Sequence, residues 1–172
     1  MPAAPDGTAF DLSGPPDAPC VVLIHGLGLN RACWQWTEPA LQDAYRVLTY
    51  DLYGHGASAD PPGQPSLALF SRQLQGLLDH CGIAGGCIAG FSLGGMIARR
   101  FAMDAPERTR ALIVLHSPHR RDPGAQAAIL ARVTQARDEG PGATVEAALA
   151  RWFTEGFRAA HPETTDLVRG WV

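Results

Sequence analysis

The run Cys20–Ile24 (CVVLI) carries no polar residue at any position, and this constrains the fold more than any other stretch of the chain. A strand with one face in water alternates apolar and polar residues. A strand covered on both faces does not, and such strands belong mostly to parallel sheets. Residues 45–50, 86–89 and 110–115 (RALIVL) read as further buried strands, and residues 8–12 fit a short one. Residues 33–42, 67–80 and 93–103 between them read as helices. In the second of these, Leu67, Phe70, Leu74, Leu77 and Leu78 share one face, with Ser66 as N-cap. Strands alternating with helices predict an α/β fold, a mostly parallel sheet with helices on both faces. After Ser117 the pattern changes. Residues 122–139, 145–153 and 165–172 all read as helical, with a glycine-proline break at residues 139–142. The expected organisation is an α/β core over residues 1–117 and a helical segment over 118–172.

Composition narrows the function classes. Apolar residues make up 46% of the 172 and charged ones 18%, which is globular. The net charge is −3 with no block of like charge, so neither a nucleic acid nor a membrane surface is an expected partner. The longest apolar runs are far shorter than a membrane span. Cys20, Cys33, Cys81 and Cys87 form no CxxC pair and sit at no zinc spacing from a histidine, so no metal is expected. Residues 1–10 contain neither a basic nor a long apolar region of the kind a signal peptide requires. A cytoplasmic protein with reduced thiols is the expectation.

The chemistry concentrates at Gly90-Phe91-Ser92-Leu93-Gly94-Gly95. The G-x-S-x-G match lies where a buried strand meets a helix, the setting of a nucleophile elbow. There a serine is held in a strained conformation with its hydroxyl lifted above the strand end. Backbone crowds the positions two before and two after it, so Gly90 and Gly94 must lack a Cβ. Acyl transfer also needs two N–H donors aimed at the developing oxyanion. The Leu93 N–H, directly after the serine, is one candidate. The other is Leu27, within His25-Gly26-Leu27-Gly28 at the end of the first buried strand, where Gly26 allows close approach. His25 stands before the turn and reads as a prop for this loop rather than as a base.

These two motifs, with Asp51-Leu52-Tyr53-Gly54-His55-Gly56-Ala57-Ser58 between them, resemble the α/β-hydrolase superfamily in order and spacing. The likeness is greatest to the branch of 3-oxoadipate enol-lactonases and esterases, with cofactor-free haloperoxidases as relatives. It implies a serine hydrolase of carboxylic esters or lactones, working without a cofactor on a small-molecule substrate through an acyl-enzyme on Ser92. It also implies that the helices after Ser117 begin a cap.

In that family the acid and then the base follow the serine in the chain. No strand is evident after residues 110–115, so both are expected beyond residue 172 and the chain is read as a fragment. With only an oxyanion hole and binding left, its activity is expected to be small, roughly 10³-fold over water. The last strand is expected to form an uncovered edge, which a complementing chain or a second copy would cover. His116 follows that strand and reads as a pocket residue rather than a substitute base. Arg31, near the oxyanion loop, is a candidate partner for a substrate carboxylate, or else a solvated surface residue. A non-catalytic binding module or one half of a split enzyme is the rival reading, and a perhydrolase would use the same residues. Nucleotide binding is disfavoured, because no G-x-G-x-x-G follows the first strand and the chain has no lysine for a P-loop.

Overall fold

A computed structural model describes residues 2–172 and contains five strands in one sheet, ordered β1-β3-β2-β4-β5. These are β1 (Phe10–Ser13), β2 (Cys20–Ile24), β3 (Arg46–Tyr50), β4 (Gly86–Phe91) and β5 (Thr109–Leu115). Only β1 runs antiparallel to its neighbour. β2 pairs in parallel with both β3 and β4, and β4 with β5. The register sets Tyr50, Ile24, Gly90 and Val114 side by side in one row. The loops that leave the carboxyl ends of β2, β3 and β4 therefore emerge next to one another. In an open parallel sheet this is where ligands bind.

Two helices, α1 (Leu67–His80) and α2 (Leu93–Asp104), lie between the later strands. The predicted cap of α1 forms, with the Ser66 hydroxyl accepting from the Leu69 N–H at 3.1 Å. Leu74, Leu77, Leu78, Ile97 and Phe101 pack with Val22, Ile24, Leu48 and Ile88 into a fully buried core on one side of the sheet. On the other side Val21, Leu23, Val47 and Ala89 pack around Trp34.

The expected helix at residues 33–42 is instead two short 3₁₀ turns, Arg31–Trp34 and Glu38–Ala40. Asn30 caps the first, its side chain accepting from the Ala32 N–H. Pro39 lacks an N–H donor and crowds the preceding turn, so the segment does not run on as an α-helix. The apolar run in β5 reads as buried, yet Leu112, Ile113, Val114 and Leu115 are 36–44% exposed. Its composition specifies a strand, but β5 lies last in the sheet with β4 as its one paired neighbour.

Contacts divide the chain into a first unit ending at Pro118 and a second beginning at His119. The second holds α3 (Pro123–Glu139), α4 (Val145–Trp152), α5 (Glu155–Ala160) and α6 (Pro162–Arg169). Asp122 caps α3, accepting from the Ala125 N–H. α4 and α6 share the buried residues Ala148, Leu149, Thr165 and Val168, and an exposed ion pair joins Arg169 to Glu146. The predicted helix at 165–172 thus begins earlier, at Pro162, and ends at Arg169. Among the described residues no helix is long and apolar enough to cross a membrane.

The buried core and the exposed edge strand separate in a stability experiment. Leu77→Ala removes a fully buried side chain and should lower the unfolding free energy by about 2–5 kcal/mol. Ile113→Ala, on half-exposed β5, should cost less, about 1 kcal/mol. Urea denaturation of both variants checks the contrast, and equal losses would refute it.

Candidate active site

Ser92 lies between β4 and α2 with φ 54° and ψ −113°. Side-chain-bearing residues avoid this conformation, because Cβ crowds the neighbouring peptide groups. The turn is held by its surroundings. The Ser92 N–H donates to the Leu115 carbonyl at 2.9 Å, and the Ser92 carbonyl accepts from the Gly95 and Met96 N–H groups. A Cβ on Gly90 would stand 2.1 Å from the Gly94 carbonyl oxygen, and one on Gly94 would stand 2.2 Å from that of Ile24. Both positions therefore require glycine, as the motif implies. Gly95 is equally confined, since a Cβ there would come within 2.5 Å of the Ser117 Cβ.

The loop after β2 runs alongside this turn. A Cβ on Gly26 would lie 3.3 Å from the Ser92 Cβ and 3.1 Å from the Phe91 ring. Among the described residues neither the Leu27 nor the Leu93 N–H donates to a protein acceptor. One of these N–H groups follows Gly26 in the loop after β2, and the other follows Ser92 at the start of α2.

His25 is completely buried, and both ring nitrogens are engaged. Its Nε2 accepts from the Leu52 N–H at 3.0 Å, which places the proton on Nδ1, where it is donated to the Gly26 carbonyl at 2.8 Å. Burial pushes its pKa down to about 4, so the ring stays neutral near pH 7. Within the first unit the ring joins the loop after β2 to the loop after β3. His55, whose Nδ1–H donates to the Tyr53 carbonyl, packs its ring 5.3 Å from that of His25.

Asp51 joins the same two loops through its carboxylate. It accepts from the Arg31 N–H at 2.8 Å and from the Ala57 N–H at 2.9 Å, and it pairs with the Arg31 guanidinium. Asp11 on β1 pairs with the same guanidinium. Arg31 is therefore bound to two carboxylates within the first unit, in contrast to the expectation of a pocket cation or a solvated one. Gly56, at φ 53°, passes so close to Asp51 that a Cβ would lie 2.3 Å from its carboxylate. The Asp51 carbonyl accepts from the Ser58 hydroxyl and the Gln73 amide.

His116 follows β5 with φ 45° and stacks on Phe91 at 6.4 Å between ring centres. It stands near the elbow, but among the described residues no histidine hydrogen-bonds to the Ser92 hydroxyl. The four cysteines are free thiols, and burial raises the pKa of Cys20 to about 11. No group of three or more His, Cys, Asp or Glu side chains placed to hold a metal is found among the described residues.

Sequence reasoning misses the structural roles of Asp51, Asp11 and Gly56. The signal available is an aspartate directly after a buried strand, with a glycine five residues on.

Comparison with known proteins places the site in context. Residues 19–159 match the family model for the alpha/beta hydrolase fold. The chain is 33% identical over 153 residues to 3-oxoadipate enol-lactonase 2 of Acinetobacter baylyi, covering 89% of this chain and 57% of that protein. It superposes on the enol-lactonase of Burkholderia xenovorans with a TM-score of 0.87 at 29% identity, covering 95% of this chain and 63% of that one. For a thermophilic esterase of Thermogutta terrifontis the TM-score is 0.86 at 31% identity, with 96% and 61% covered. The chain thus spans less than two thirds of the length of these relatives.

The neutral, buried His25 makes stability depend on pH. Its folded pKa lies below the unfolded value, so the unfolded chain binds the extra proton between about pH 6.5 and 4. Stability from this group is complete above about pH 6.5 and falls by about 3 kcal/mol as the pH drops to 4. Denaturation of the chain and of His25→Gln over this range tests it. The variant should show a shallower slope, by about one proton, and parallel slopes would contradict the assignment.

Proposed function

Because the chain belongs to the alpha/beta hydrolase fold family, a hydrolase family by its lactonase and esterase relatives, we propose that Ser92 is the nucleophile of a serine hydrolase acting on carboxylic esters or lactones. The observation that carries this reading is the left-handed backbone of Ser92 between β4 and α2, with the Gly26 loop beside it. In this reading the turn lifts the hydroxyl at the carboxyl edge of the sheet, and the Leu27 and Leu93 N–H groups, which donate to no protein acceptor among the described residues, serve as its oxyanion donors.

In the proposed reaction the Ser92 oxygen attacks the carbonyl carbon of a small-molecule ester or lactone. The carbonyl oxygen gathers negative charge, and the Leu27 and Leu93 N–H groups donate to it. Collapse of this tetrahedral species expels the alkoxide and leaves an acyl group on Ser92, which water then removes. A serine hydroxyl needs a base to take its proton, and an acid must orient that base. The related proteins are longer than this chain, and we assign both groups to the part of such a protein that these 172 residues do not span.

His25 holds the oxyanion loop rather than moving a proton, since both its nitrogens are bound to backbone. His116, stacked on Phe91, is given a place in the pocket and no part in proton transfer. Four free thiols agree with a reducing, cytoplasmic setting.

A fluorophosphonate reagent tests the assignment, because oxyanion donors beside a serine speed its phosphonylation over that of other serines even where the base is lacking, slowly but selectively. Intact-mass and peptide analysis should find one adduct, on Ser92 in preference to the other serines, and none at that peptide in Ser92→Ala. An adduct spread over several serines, or unchanged in Ser92→Ala, would support the non-catalytic reading instead.

A further inference from the structure

A cleft of about 530 Å³ opens beside the two oxyanion residues, within the range of sites for small molecules. Leu27, Leu93, Pro61, Pro65, Leu67 and Phe70 make up its apolar lining. All of these lie in the first unit, the last four on the loop after β3 and the start of α1. Its polar side chains are Tyr53, His55 and Ser66. The Tyr53 hydroxyl donates to the Asp6 carboxylate at 2.6 Å, and the Ser66 hydroxyl caps α1. The His55 Nδ1–H is given to the Tyr53 carbonyl, which leaves Nε2 as the ring's remaining polar atom. No arginine lines the cleft, and Arg31, on the neighbouring loop, is paired with Asp11 and Asp51.

A carboxylate entering this space would lose its water and meet neither a guanidinium nor an ammonium group, which is costly. An alkyl or aryl group would lose only unfavourable hydration. We infer that this cleft binds an uncharged apolar group of the substrate, an alkyl or aryl substituent attached to the carbonyl that Ser92 attacks. The inference rests on the proposed role of Ser92 for the orientation of that substituent. The walls that receive it do not depend on that role.

The test uses 4-nitrophenyl ethyl alkylphosphonates with propyl to hexyl chains, and a fifth reagent ending in a carboxylate. Each buried methylene contributes about 0.8 kcal/mol, or about fourfold in rate. Labelling of Ser92 should therefore quicken about fourfold per methylene, and the carboxylate reagent should lag the hexyl one at least tenfold. Leu67→Asp should flatten the series. That residue is exposed at the first position of α1, where an acidic group suits the helix terminus, so the fold should be retained.

A second measurement is independent of the nucleophile. Saturation-transfer NMR of butyl benzoate with Ser92→Ala should show binding that the additional Leu67→Asp substitution removes. Binding of this kind without labelling of the wild-type chain would support the cleft while refuting a preformed pairing of Ser92 with the oxyanion donors. Labelling at Ser92 that ignores chain length and charge would overturn the cleft and leave the nucleophile standing. Absence of both length dependence and Leu67-sensitive binding would also overturn it.

Discussion

The arrangement at the carboxyl edge of the sheet depends on a serine held in a backbone conformation that its own Cβ opposes. Such a residue costs about 1–3 kcal/mol and persists only where the surroundings leave no alternative. Here the surroundings are backbone. The Gly94 carbonyl lies where a side chain at position 90 would begin, and the Ile24 carbonyl lies where one at position 94 would begin. The Ser92 N–H is fixed by the end of β5, and its carbonyl by the first turn of α2. Because β2, β4 and β5 end in one register row, the same packing that strains the serine also brings the Gly26 loop against it.

Much of this is legible in the chain. An apolar run without alternation specifies a strand covered on both faces, and Cys20–Ile24 is one, with every residue buried. A serine between paired glycines at a strand-helix junction specifies the elbow, because the glycines are demanded by contacts close in sequence. Leu67–His80 is readable because its apolar face and its capping serine agree.

What cannot be read depends on neighbours distant in sequence. β5 has the composition of a buried strand; the lack of a further strand pattern after it predicts an open edge, but which of its side chains are exposed depends on the sheet order. The Cys33–Ala40 stretch has helical spacing of apolar residues, but Pro39 and the Asn30 cap divide it into short turns. Arg31 is an ordinary arginine in the sequence. Its partners stand twenty residues away on each side, and the pairing exists only because β1 and β3 lie together. His25 reads as a prop from its place before the turn, but the partner of its second nitrogen, the Leu52 N–H, is 27 residues away.

Every group directed at the Asp51 carboxylate is a donor: two backbone N–H groups and one guanidinium. An asparagine side chain has the same outline but carries two hydrogens on one of its terminal atoms. Either orientation of that amide would set hydrogen against hydrogen, at the guanidinium or at a peptide. Shape alone therefore does not define the position. It admits only a group with lone pairs on both tips, and the mutual placement of the two loops is written into that valence requirement.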